Sequence, residues 1–104
     1  MTSSEFQLRI KQKALEIDSN AEVILYGSRA RGEARIGSDW DILILTSLDS
    51  YKNKDIGLFI RKMMELELEF SEAISTNVIK KNDWYTKYKI TDYFKNVNED
   101  GLKL

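Results

Sequence analysis

Asp39 and Asp41 are the two residues best placed to do chemistry, standing i, i+2 where the apolar run Ile42-Leu43-Ile44-Leu45 begins. In a strand, successive side chains point to opposite faces, so both carboxylates share one face and Trp40 turns to the other. At a rise of about 3.3 Å per residue their backbones lie about 6 to 7 Å apart. That is close enough for both to converge on a hard cation that prefers oxygen ligands, of which Mg2+ is the default. Where two such ions act together they sit about 3.5 to 4 Å apart and clamp the attacking and leaving oxygens of a phosphoryl transfer.

A second element lies just upstream. Gly27-Ser28 closes the apolar run Val23-Ile24-Leu25-Tyr26. Without a Cβ, Gly27 lets a phosphate approach the backbone, and the Ser28 hydroxyl with the free amides of a following helical turn forms an anion site. Arg29, Arg31 and Arg35 add positive charge beside it. A triphosphate carried by Mg2+ meets amides and a hydroxyl at one end and carboxylate-held metal at the other. Each part taken singly has a blander reading: Gly27 and Gly37 as turn glycines, Ser28 as an N-cap, the Asp pair as polar residues where a strand starts.

Composition narrows the chemistry. The chain has 104 residues, 42% of them hydrophobic, which suits a single domain over 1–104 with one core. With no cysteine and no histidine, thiol nucleophiles, imidazole bases and Cys/His zinc sites are excluded. The 16 basic and 17 acidic residues leave a formal net charge of -1, so long nucleic acid is not an expected partner. The N-terminus has no apolar leader segment and no apolar run approaches a membrane span, so a cytoplasmic protein is expected.

The elements that must position these residues follow from periodicity. Ser4-Glu5-Phe6-Gln7 reads as a capping box, and Phe6, Ile10, Ala14 and Ile17 form the inner stripe of a first helix. Ala21 to Tyr26 is expected as the first strand, Ser28 to Ala34 as a short helix and Asp39 to Leu45 as the second strand. The near-continuous apolar run of that second strand suggests cover on both faces. Thr46 to Lys54 reads as a loop. A long helix is expected from an N-cap at Asp55 to Phe70, its stripe of Ile56, Phe59, Ile60, Met63, Leu66 and Phe70 widened by Met64 and Leu68. Ala73 to Lys80 is the third strand, with Ile74 and Val78 facing one way and Ser75, Asn77 and Ile79 the other. Trp84, Tyr85, Tyr88, Tyr93 and Phe94 belong to one or two closing helices, with an N-cap at Thr91 and a C-cap at Gly101. These aromatics read as lid or core packing, with base stacking by Trp84 or Tyr88 as the functional alternative.

Gly27-Ser28, ten residues from Arg29 to Ser38, then Asp39-Trp40-Asp41 resembles the signature of nucleotidyltransferases of the DNA polymerase beta superfamily. The Arg29 to Gly32 and Ser38 to Asp41 segments look like those of its minimal nucleotidyltransferases, often encoded beside a helical HEPN-type protein. The resemblance implies an α+β fold, a small mixed β-sheet with helices packed on one side, in the order α-β-α-β-α-β-α. It implies Mg2+, with two ions possible, at Asp39 and Asp41 as catalytic and metal-binding residues. ATP would be the donor, held at Gly27, Ser28, Arg29 and Ser38. The activity implied is transfer of a nucleoside monophosphate to a hydroxyl, with a tyrosine of a HEPN-type partner as the acceptor it suggests, as the antitoxin half of a pair. Catalytic relatives add a third carboxylate on the strand after the long helix. Here that strand offers Ser75, Thr76 and Asn77, and Glu72 just before it is the nearest acid. The alternative is a binding module that neutralises its partner by contact alone.

Overall fold

The computed structural model describes residues 2–48 and 53–104, the side chains of 53–55 excepted. Helix α1 (Ser3–Ile17) is capped by Thr2, whose Oγ1 accepts from the Glu5 amide while Glu5 returns a carboxylate to the Thr2 amide. The capping box therefore sits two residues earlier than the expected Ser4/Gln7 box. A carboxylate suits the positive end of a helix better than the neutral amide of Gln7 does. Strand β1 (Glu22–Tyr26) leads directly into the one-turn helix α2 (Gly27–Arg31), and β2 (Trp40–Thr46) follows. Helix α3 (Asn53–Phe70) already begins at Asn53. The N-cap side chain expected at Asp55, and 49–52 of the expected loop, lie outside the described residues.

Strand β3 (Ile74–Lys80), helix α4 (Lys81–Thr86), a 3-10 turn at Tyr88–Ile90 and helix α5 (Asp92–Asp100) complete the expected order. Thr91 Oγ1 accepts from the Phe94 amide and Gly101 ends α5, as the sequence predicts. A further strand, β4 (Leu102–Lys103), is new: it pairs antiparallel with β1, and Leu104 N–H donates to Val23 O at 2.8 Å. The sheet order is β3-β2-β1-β4, with β2 antiparallel to β1 and parallel to β3.

The two long helices lie on one side of this mixed sheet. Phe6, Ile10 and Ala14 of α1 and Phe59, Met63 and Leu66 of α3 pack on Val23, Leu25, Trp40, Ile42 and Ile44. The other face is covered too, by the short helical segments: Leu43 and Leu45 pack with Trp84 of α4 and Val97 of α5. Cover on both faces is what the unbroken run at 42–45 requires. Trp84 is buried and packs against Tyr88, Tyr93 and Phe94, so it is a core residue with no face left for a base. Met64 and Leu68, expected to widen the inner stripe of α3, are instead exposed.

One buried carboxylate fastens the frame. Asp18, at the end of α1, accepts from the Thr46 hydroxyl, the Ser47 amide and hydroxyl, and the Asn20 amide, all at 2.8 to 3.0 Å. It thereby fixes the last turn of α1 to the end of β2. Burial works to raise its pKa, but these hydrogen bonds outweigh burial and hold the carboxyl below its ordinary value.

Candidate active site

The turn from β1 into α2 and the start of β2 lie side by side because Tyr26 pairs with Asp41 across the antiparallel ladder. Gly27 takes φ +75°, in the left-handed region, and a Cβ there would fall onto Oδ2 of Asp41. Only glycine lets this turn close against the carboxylate. The turn at Gly27 and the Asp41 carboxylate thus touch.

Trp40 points into the core on the α1 side of the sheet, where its ring meets Phe6 edge to face. Alternation then puts Asp39 and Asp41 together on the opposite face. Asp39 is exposed just before β2 begins, and Asp41 is half-buried. Burial, followed by the charge of Asp39, holds the Asp41 carboxyl above its ordinary pKa, with Arg31 pulling the other way. A divalent cation would relieve both effects, so this donor set fits a hard metal. Among the described residues no group of three or more His, Cys, Asp or Glu side chains stands together. A cation here would rest on the aspartate pair with water completing its shell, as Mg2+ tolerates.

Ser28 lies in α2 beside this pair, and its hydroxyl makes no hydrogen bond among the described residues. Ser38 instead spends its hydroxyl on the Arg35 amide at 2.9 Å, in a turn closed by Ser38 N–H to Arg35 O with Gly37 at φ +86°. It shapes the loop that delivers Asp39. Arg29, expected at the phosphates, is committed elsewhere. Its guanidinium donates to Ser38 O at 2.8 Å, lies 4.6 Å from the Trp40 ring centroid and pairs with Glu72 at 3.7 Å.

Glu72 also accepts from Trp40 Nε1 at 3.2 Å. It therefore belongs to the Trp40 side of the sheet and does not supply a third acid beside Asp39 and Asp41. Its replacement in register is Ser75, which stands directly opposite Asp41 on β3, an uncharged neighbour.

The arginine whose charge reaches Asp41 is Arg31. Successive helical residues turn by about 100°, so Arg29 and Arg31 leave opposite sides of α2. Arg31 is held by Glu33 at 3.1 Å and by Asp100 of α5 at 3.4 Å. Their spacing was a usable signal, but only the packing of α2 says which side meets the carboxylates.

A further cluster on the same face was not legible beforehand. Tyr26 and Tyr93 hydroxyls lie 3.1 Å apart, and Asn77 Nδ2 donates to both, at 3.2 and 3.1 Å. Burial and then the Tyr26 hydroxyl hold the Tyr93 phenol well above its ordinary pKa, and the charge of Asp41 adds to this. The cluster anchors α5 over the sheet next to the aspartates.

The arrangement can hold a metal-bound polyphosphate between a close-packed turn and two carboxylates. A family model described as a nucleotidyltransferase domain matches residues 8–101. None of the curated proteins compared with the chain matches it.

Proposed function

Since this chain belongs to the nucleotidyltransferase domain family, we propose that it transfers a nucleoside monophosphate, AMP from ATP, to a hydroxyl on a partner protein. The acceptor oxygen attacks the α-phosphorus, and the bond to the leaving pyrophosphate breaks. The observation that supports this most is the contact of Gly27 with Asp41, which sets the phosphate turn against a carboxylate. Asp39 and Asp41 would hold Mg2+, as one ion or two. When bound, the metal supplies charge neutralisation and Lewis-acid polarisation at the transferring phosphate. Ser28 and the Gly27 backbone hold phosphate oxygens, and Arg31 adds cationic charge on the same side. A HEPN-type partner with a tyrosine acceptor fits, because a phenol of pKa about 10 needs less help from a base than an aliphatic hydroxyl does.

The uncharged Ser75 beside Asp41 and the engagement of Glu72 with Arg29 and Trp40 favour a second reading. In it the chain keeps the fold and the nucleotide site but neutralises its partner by contact.

One experiment separates the two. The protein and the product of the neighbouring gene are incubated with Mg2+ and each nucleoside triphosphate, and both chains are weighed intact. Transfer predicts a gain of one nucleotidyl group on the partner, abolished in Asp39→Asn and Asp41→Asn and largely kept in Glu72→Gln. Ser28→Ala should weaken nucleotide binding by about 1 to 3 kcal/mol, the range for a bond to a charged oxygen. An unmodified partner that is nevertheless bound and neutralised establishes the second reading.

A further inference from the structure

Strand β3 ends the sheet, so among the described residues no strand lies beside its outer edge. Trp40 N–H donates to Ala73 O at 2.8 Å, and Trp40 pairs with Ile74 in a parallel ladder. In such a ladder the backbone groups of alternate residues turn toward the neighbour. Those of Ser75, Asn77 and Ile79 therefore face β2, and those of Ile74, Thr76 and Val78 face outward. The Ile74 amide bears this out by donating to Glu67 Oε2 at 3.0 Å. Thr76 and Val78 have no backbone partner on that side among the described residues. A strand of seven residues without proline has few of the devices that keep an open edge from pairing.

We infer that this edge is a homodimer interface: β3 pairs antiparallel with β3 of a second copy about a two-fold axis at Asn77, and α3 packs on the partner's α3 at Met64. The inference does not depend on the proposed transfer. Three features make the edge complementary to itself, as a two-fold contact requires.

The register comes first. With Asn77 on the axis, Thr76 lies opposite the partner's Val78 and Val78 opposite the partner's Thr76, so the outward groups of both residues exchange bonds. Charge agrees with that register. Glu67 stands at the Ile74 end of the strand and Lys80 at its other end, so each acidic end meets the partner's basic end.

Shape agrees as well. From Ile74 to Asn77 the strand advances about 10 Å at about 3.3 Å per residue. Helix α3 returns antiparallel above it, and at about 1.5 Å per residue the same distance runs back six or seven residues from Phe70, to Met64. Lys62 and Glu69 reach Glu16 and Arg9 of α1 from one side of α3. Glu67, bonded to Ile74, marks the opposite side, and at about 100° per residue Met64 falls on the Glu67 side. Met64 is 55% and Leu68 84% exposed. The axis that centres the strands thus also brings Met64 toward its counterpart.

The test uses the full chain. Light scattering after gel filtration should give twice the 12.1 kDa chain mass. The chain has no cysteine, so Asn77→Cys introduces one thiol, which in a non-hydrogen-bonded antiparallel pair has its Cα about 4.5 Å from the partner's, within disulfide reach of about 4.4 to 6.8 Å. It should form a covalent dimer on mild oxidation, whereas Ser75→Cys, facing the partner's Ile79, should not. Thr76→Pro removes only the outward amide, and Met64→Lys puts two charges on the axis. Each should raise the dimer dissociation constant by about tenfold or more, with circular dichroism showing the monomer still folded. A wild-type mass of one chain overturns the inference. So does a dimer that Asn77→Cys fails to cross-link or that withstands both Thr76→Pro and Met64→Lys.

Discussion

A methyl group at Gly27 would meet Oδ2 of Asp41, and the residue's φ of +75° lies in the left-handed region. Gly27→Ala therefore carries two penalties. The backbone conformation costs about 1 to 2 kcal/mol for an L-residue, and the Asp41 side chain must leave its position. The expected outcome is a lower melting temperature together with loss of the stabilisation that the proposed binding of Mg2+ and ATP should give the wild type by mass action. A variant that melts like wild type and keeps that response would show that the contact is incidental. Gly37→Ala serves as the comparison, since it shares a positive φ but has nothing within 4 Å of its Cβ position. It should cost stability without removing the ligand response.

Between elements, the Asp18 carboxylate is the fastening most exposed to test. It joins the end of α1 to the end of β2 through Thr46 and Ser47, and β2 is the strand that begins with the site. Its pKa is held below the ordinary value of 3.8. A group whose folded pKa is depressed contributes stability above its unfolded pKa and loses that contribution as pH falls through the folded value. Asp18→Asn keeps the shape but makes one of the amide's two polar ends a donor, where every present neighbour donates. It should cost about 2 to 3 kcal/mol at neutral pH, the scale of hydrogen bonds to a charged group. Denaturant titrations should find this gap shrinking below about pH 4, where the unfolded carboxyl protonates. A gap independent of pH would mean that packing, and not charge, secures this joint.

For the molecule as a whole, β4 is the addition that no local pattern announced. Leu102 and Lys103 pair with β1, Lys103 reaches Glu22 at 3.9 Å, and Leu104 packs against the α1 side of the core. Because β1 leads into Gly27, this edge strand supports the turn of the site from behind. Removing Leu102–Leu104 should lower stability by about 2 kcal/mol, the value of burying one large aliphatic side chain. It should also weaken Mg2+ and ATP binding with no contact residue changed. Unaltered nucleotide affinity in a destabilised truncation would confine β4 to a structural role. Among the described residues no helix is long and apolar enough to cross a membrane.

The i, i+2 spacing of Asp39 and Asp41 and the run that follows them settled which residues share a face, because alternation in a strand is a local property. The same holds for the inner stripe of α1, the cap at Thr91 and the end of α5 at Gly101, each set by neighbours a few residues away. The capping box was legible in kind but misplaced, since Thr2 and Ser4 both offer the spacing and only the folded helix start chose the carboxylate of Glu5. Tertiary structure alone decided which charges lie beside the two aspartates. Arg29 and Glu72 are far apart in sequence yet bind one another over Trp40, which withdraws both from the carboxylates, while Arg31 turns toward them. Tyr26, Asn77 and Tyr93 come from β1, β3 and α5 and meet only when the sheet and its second layer assemble. Local sequence determines periodicity, turns and caps through short-range sterics and hydrogen bonding. Partner choice among distant polar groups depends on which surfaces the core brings together, and no spacing along the chain encodes it.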